Sequence, residues 1–150
     1  MINTLFWNIR GIRKKIGSSR LKALKKQHKL SLICICEPHV DVSNVVDIQL
    51  RLGFKNVLYN TANRIWVFFD ESITASIVAQ SDQHLTLKCT HPAFHKEFLV
   101  CFVHAICNID SRTNLWADLT QVCSTHYPII IYGDFNAITS ADEKRGGSPF

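Results

Sequence analysis

Apolar runs of strand length alternate along this chain with stretches whose apolar positions recur every three or four residues. INTLFWNI (residues 2–9) predicts a first strand, and SSRLKALKKQHK (18–29) predicts a helix with Ser18 or Ser19 as N-cap and a Leu21, Leu24, His28 stripe. LSLICICE (30–37) is a β-permissive run that closes on a carboxylate, and SNVVDIQLRLG (43–53) predicts a helix that stops at Gly53. Five strand candidates follow: FKNVLYN (54–60), RIWVFFD (64–70), SITASIVA (72–79), HLTLKC (84–89) and EFLVCFVHAIC (97–107). Helical spacing returns in SRTNLWADLTQVCS (111–124), where Leu115, Leu119 and Val122 fall at i, i+4 and i+7, and the strand YPIIIY (127–132) comes directly after it. This order predicts an α/β protein, a sheet covered by helices. Neither a low-complexity linker nor an internal repeat interrupts it, so residues 1–150 read as one domain.

Composition narrows the class. With 47% hydrophobic and 19% charged residues the chain is globular rather than disordered. No apolar run reaches the roughly 18 residues of a membrane helix, and MINTLFWNIRG has neither the basic start nor the small-residue cleavage site of a secretion leader. The expectation is a soluble, intracellular protein. The six cysteines, mostly inside apolar runs, read as free thiols in a reducing compartment.

Charge adds a candidate partner. The formal net charge is +5, and nine basic residues lie between positions 10 and 29 (Arg10, Arg13, Lys14, Lys15, Arg20, Lys22, Lys25, Lys26 and Lys29), with no Asp or Glu before Glu37. Such a field suits a polyanion, because neutralising phosphates releases condensed counterions. A solvated helix face would carry the same charges, and the run by itself does not separate the two.

Polar residues fall at telling places on the apolar strands. Asn8 ends the first, Glu37 ends the second, and Asp134 with Asn136 follow YPIIIY in YGDFNAI. Gly, Asp and Asn are ordinary turn residues, so GDFN by itself has a plain explanation. Glu37 does not: a carboxylate directly after a buried strand needs a cation or a water-filled cleft to stay ionised. A hard divalent metal such as magnesium, with oxygen ligands, would supply it. In open α/β sheets ligands bind beyond the carboxyl ends of strands, where these residues lie. Asp134 and Asn136, two apart, would project to one side if the backbone there stays extended.

The ordered set WNIRG (7–11), ICICEPH (33–39) and YGDFNAI (132–138) resembles the endonuclease/exonuclease/phosphatase family. With LGF (52–54), RIWVFF (64–69), RTNLWADL (112–119) and DEKRGG (142–147), the chain is most similar to the apurinic/apyrimidinic-endonuclease-like domain of plant non-long-terminal-repeat (LINE-type) retrotransposons. The resemblance implies a four-layer α/β sandwich, two β-sheets flanked by helices. It also implies a magnesium- or manganese-dependent endonuclease that nicks DNA in the nucleus, beside a reverse transcriptase domain in the parent element. By the same resemblance Glu37 is the principal metal ligand, Asn8 orients metal and phosphate, Asp134 aligns or activates the attacking water, and Asn136 hydrogen-bonds the scissile phosphate. Arg10, Arg13, Lys14 and Lys15 would meet the DNA backbone.

Two departures from the family pattern matter. His104 stands where the family has a tyrosine, exchanging a phosphate-contacting hydroxyl for an imidazole that can also donate. The family's domain continues through further strands to an Asp-His acid/base pair, so the resemblance implies an N-terminal portion only, an incomplete second sheet with open edges, and low or no activity. Three classes of function therefore stay open: a DNA nickase, a DNA-binding remnant without turnover, and a same-fold phosphodiesterase or phosphatase on a small or lipid substrate. Cys101-x-x-His104-x-x-Cys107 is a poor zinc set, since in a strand His104 points away from the two cysteines, and Cys89, His91 and His95 flank Pro92 in an expected loop. Trp7, Trp66 and Trp116 are expected in the core, Trp7 holding Asn8 in place.

Overall fold

The computed structural model describes residues 2–12, 15–138, 140–143 and 146. Among them the chain runs β1 (Thr4–Asn8), α1 (Lys15–His28), β2 (Leu32–Cys36), a 3₁₀ turn, α2 (Val45–Leu52), β3 (Asn56–Tyr59), β4 (Ile65–Phe69), β5 (Thr74–Gln80), β6 (His84–Thr90), β7 (Phe98–His104), α3 (Ile109–Cys123) and β8 (Ile129–Asp134). The strands form two four-stranded sheets, ordered β1-β2-β4-β3 and β5-β6-β7-β8. Each sheet contains one parallel pair, β1 with β2 and β7 with β8, and its other pairings are antiparallel.

Strand parity builds the layers. In β2 and β4, Leu32, Cys34, Cys36, Ile65, Val67 and Phe69 point into the space between the sheets, where they meet Leu85, Leu87, Val100 and Phe102 of the second sheet. The intervening Ile33, Ile35, Trp66 and Phe68 point the other way, onto Leu21 of α1 and Ile48 and Leu52 of α2. Strands covered on both faces must be apolar at every position, which is why LICIC and IWVFF show no alternation. On the far side Cys101 and Val103 of β7 pack against Leu115 and Leu119 of α3. The result is the helix–sheet–sheet–helix sandwich expected from the sequence. β5, half-buried on alternate positions and exposed on the others, is an edge. β8 is the other edge of its sheet, and its Ile130 is exposed.

Three local expectations change. α1 begins at Lys15, so Ser18 and Ser19 lie inside the helix instead of capping it. His28 is exposed, and the core stripe consists of Leu21 and the half-buried Leu24. Of the basic run, Lys25 is committed to structure: its ammonium donates to the carbonyls of Leu52 and Gly53 at the end of α2 and lies 3.7 Å from the Phe54 ring centroid. That partial burial lowers the Lys25 pKa, against the pull of Asp70. Gly53 takes the left-handed conformation (φ 70°) that ends α2, as the sequence predicts.

A buried imidazole sits under α3. His84 faces Asp118 (Nε2–Oδ2 3.4 Å) and Thr86 (Nδ1–Oγ1 3.2 Å). Burial pushes its pKa below the ordinary 6.5, more strongly than Asp118 pulls it up. The unfolded chain therefore binds the extra proton first, and this part of the stability is held above the ordinary histidine range and lost as pH falls through it. His84→Gln is expected to flatten the acid limb of a melting temperature–pH curve between about pH 7 and 5. An unchanged acid limb would show that His84 is not the group responsible.

Candidate active site

The two parallel pairs place four carboxyl-terminal strand ends together. Asn8 is in register with Cys36, directly before Glu37, and His104 is in register with Asp134. β1 and β8, the facing edges of the two sheets, touch across the sandwich. Hydrogen bonds then cross between sheets: Asn8 Nδ2–H donates to Asp134 Oδ2 at 3.2 Å, and His104 Nε2 lies 3.0 Å from Glu37 Oε1. His39 Nε2 and Arg10 Nε approach the other oxygen of Glu37 at 3.5 and 4.0 Å.

The loops holding these groups are conformationally costly. Arg10, Glu37, His39, Asn63 and Asn136 all have positive φ without being glycine, and all lie at this end of the sandwich. Strain of this kind persists where surrounding contacts overdetermine it, and it gathers at functional sites. The contacts are present. Gly11 N–H donates to the Glu37 carbonyl (2.8 Å), Ile12 N–H to Pro38 (2.9 Å), and Glu37 N–H to the Arg64 carbonyl (3.0 Å).

The GDFN segment shows why each residue type is there. At Gly133 an added Cβ would lie 2.5 Å from the Val103 carbonyl oxygen and 2.6 Å from Val103 Cβ, so the strands approach too closely for any side chain. Gly133→Ala is expected to cost about 1–3 kcal/mol as an overpacked site, lowering the melting temperature by several degrees. A variant melting with the unaltered chain would disprove that crowding. Asp134 Oδ1 accepts the Asn136 N–H (3.1 Å), an Asx-type turn. The backbone is therefore not extended at Asn136 (φ 45°), and its amide nitrogen donates to the Ala105 carbonyl at 2.6 Å. α3 braces the same loop: Arg112 donates to the Asn136 carbonyl, and the Trp116 ring lies parallel to Phe135 (1°, centroids 6.1 Å apart). Trp116 is thus 43% exposed and not in the core as expected, because the buried stripe of α3 runs through Leu115, Leu119 and Val122. Trp66 is fully buried, and Trp7 is half-buried with Arg20 over its ring.

Two buried polar atoms lack a hydrogen-bond partner among the described residues, and both are here: Asn8 Oδ1 and His104 Nδ1. An orphaned buried acceptor is costly, and a cation beside it would remove that cost. Asn8 Oδ1 with the partly exposed Glu37 carboxylate (28%) makes an oxygen donor set that fits a hard divalent ion. Magnesium needs only one or two protein carboxylates because it keeps several waters. Among the described residues no group of three or more His, Cys, Asp or Glu is arranged to hold a metal by itself. In the Cys-His-Cys stretch, Cys101 is buried under α3, His104 faces Glu37, and Cys107 is exposed beyond the strand, so the three diverge.

Asn8, Glu37, His104, Asp134 and Asn136 are therefore brought together, with Arg10 at their rim. Arg13 and Lys14 lie outside the described residues, and Lys15 is described only as the first residue of α1. Four neighbours went unread in the sequence: His39, Arg64, Arg112 and Gln83, whose carbonyl accepts the His104 N–H and whose side chain bridges Ile106 to Ser111. His39, Arg64 and Arg112 fall within the quoted stretches ICICEPH, RIWVFF and RTNLWADL, but nothing local gives them a part in the site; loops and long-range pairing bring them in.

The fold is that of endonuclease/exonuclease/phosphatase proteins. No family model and no curated protein matches the sequence. Among solved structures, the chain is similar to the endonuclease domain of TRAS1, a telomere-specific non-LTR retrotransposon, at 17% identity and TM-score 0.69 over 92% of this chain and 62% of that one. It is also similar to the human Nocturnin catalytic domain (16%, TM-score 0.60, 91% and 65%) and to a humanized D. rerio TDP2 (13%, 0.66, 92% and 67%). The chain thus spans about two thirds of the length of these structures.

Proposed function

We propose that this chain carries the metal-binding part of a phosphodiester hydrolase that nicks DNA, of the kind found in LINE-type retroelements. The observation that carries the reading is that three strand ends bring Glu37, Asn8 and Asp134 to one place, Asn8 bonded to Asp134 and in register with the residue before Glu37, with Asn8 Oδ1 buried and unpartnered among the described residues. Similarity to the TRAS1 endonuclease supports DNA as substrate, and the basic stretch from Arg10 through Arg13, Lys14 and Lys15 supports a polyanion.

Glu37 and Asn8 would hold magnesium or manganese. When bound, that ion supplies Lewis acidity toward a phosphoryl oxygen. Asp134, held by the Asn8 amide and the Asn136 N–H, is an acceptor for the proton of an attacking water. His104 and the Asn136 amide are donors for the charge that develops on the phosphate, once exchanged from Glu37 and the Ala105 carbonyl. Both donors being already engaged, slow turnover by these 150 residues is part of the proposal, as is a reverse transcriptase elsewhere in the parent element and a nuclear place of action.

The test is conversion of supercoiled plasmid to open circle by the purified chain, in magnesium and in EDTA. Slow, magnesium-requiring conversion is expected. DNA binding with no conversion at any enzyme concentration would replace this reading with that of a binding remnant.

A further inference from the structure

The cleft beside Glu37 is built around an arginine that the proposed chemistry does not use. It has a volume of about 630 Å³ and lies between the 37–41 loop and the turn joining β3 to β4, with Glu37, His39, Asp41, Asn63, Arg64 and His104 on its walls. Arg64 is exposed, and no ion-pair partner for it occurs among the described residues.

The turn that presents Arg64 is unusually well fixed. Asn60, fully buried, accepts the N–H groups of Arg64 (2.9 Å) and Ile65 (3.0 Å) on one side-chain oxygen and donates to the Ser81 carbonyl (2.8 Å). Asn63, at φ 55°, donates to the Val40 carbonyl (3.0 Å) and accepts the indole N–H of the buried Trp66 (2.6 Å). The Arg64 carbonyl in turn accepts the Glu37 N–H at 3.0 Å. Two buried or strained asparagines thus fix the backbone of residue 64 in register with the candidate metal ligand, and the exposed Arg64 side chain lines the cleft from that point.

Position gives the ligand. β1, β2 and β4 are consecutive neighbours in the first sheet, so Arg10, Glu37 and Arg64 form a row across their ends, with the carboxylate between two cations. A guanidinium donates in a planar fork that matches a phosphate. We infer that the cleft is a subsite for the DNA backbone, with Arg64 anchoring a phosphate on the side of Glu37 opposite the Arg10 loop. The inference rests on the DNA reading given above. The duplex would then cross the sandwich end over Glu37, touching Arg10 on one flank and Arg64 on the other. Asp41 lines the same cleft as an opposing charge, with its carboxylate turned to cap Ser43 N–H at 2.8 Å.

The test is fluorescence anisotropy of a labelled duplex in EDTA, from about 50 to 200 mM salt, where each phosphate contact contributes about 0.9 to the slope of log K against log salt. Arg64→Ala is expected to weaken binding about tenfold near 0.1 M salt and to make the slope shallower by about 0.9. Arg64→Lys should keep the slope, Asp41→Asn should tighten binding, and Lys88→Ala, at the far end of β6 and paired with Glu97, should change nothing. Circular dichroism melts confirm that each variant is folded. An unchanged slope for Arg64→Ala overturns the subsite even if the chain nicks DNA, and so does the absence of duplex binding by the unaltered chain. An altered slope sustains it even if plasmid nicking fails, which would remove the hydrolase reading alone.

Discussion

Glu37→Gln is expected to reduce magnesium-dependent nicking by about 10³-fold or more, while the variant stays folded and binds DNA at least as well. The substitution keeps size and one oxygen but removes the charge that a hard cation requires, and a lost Lewis acid is worth several kcal/mol at the transition state, each 1.4 kcal/mol being tenfold in rate. Stability should change modestly: Glu37 is 28% exposed, His39 and Arg10 are more exposed still, and the side-chain oxygen of Gln can still accept from the buried His104, which lies 3.0 Å from the carboxylate. DNA affinity should rise, since a carboxylate near the phosphate path repels it. Manganese titration separates the causes: a metal-affinity defect is partly rescued by excess manganese, whereas loss of a base is not. Unimpaired nicking by Glu37→Gln would remove Glu37 from the metal and with it the proposed assignment of the whole site.

Trp66→Ala is expected to cost about 4 kcal/mol and to lower the melting temperature by roughly 10 °C. Trp66 is fully buried between the first sheet and its helices, with Phe68 against it edge to face (6.2 Å, 73°). Truncation leaves a cavity and also strips Asn63 of the indole donor that helps hold its positive φ. Trp66→Phe separates the two effects: most of the packing survives, and the remaining loss is that of one buried hydrogen bond, about 1–2 kcal/mol. If Trp66→Phe were as damaging as Trp66→Ala, the indole N–H and not the ring volume would be the main contribution. Calorimetry of the three proteins decides this.

The resemblance to the family was legible in short stretches because each motif is local. WNIRG, ICICEPH and YGDFNAI keep their candidate site residues at fixed offsets from a strand end, so reading the strand located the residue. Arg64 and Arg112 stand in the quoted stretches RIWVFF and RTNLWADL, but neither follows the carboxyl end of a strand, so nothing local placed them at the site. Arg64 reaches the site because β4 pairs antiparallel with β2, so that the start of one strand lies beside the end of the other. Arg112 reaches it because α3 packs over β7 and β8. Trp116 was misplaced for a related reason: a helix with three apolar stripe positions and a fourth apolar residue beside them does not show by spacing alone which face is covered.

The sequence by itself determined the order of strands and helices, the buried character of the strand before Glu37, the turn at Gly53, and the identity of the polar groups at the strand ends. These follow from periodicity, turn chemistry and the cost of burying a carboxylate, all read within a few residues. Only the tertiary structure decided that Glu37 meets His104, that Asn8 meets Asp134, and that Asn136 turns back to Ala105 instead of projecting beside Asp134. Those contacts span 126 residues in the case of Asn8 and Asp134. They depend on which strands pair in parallel and on how one sheet lies against the other, and neither is encoded in any single stretch of the chain.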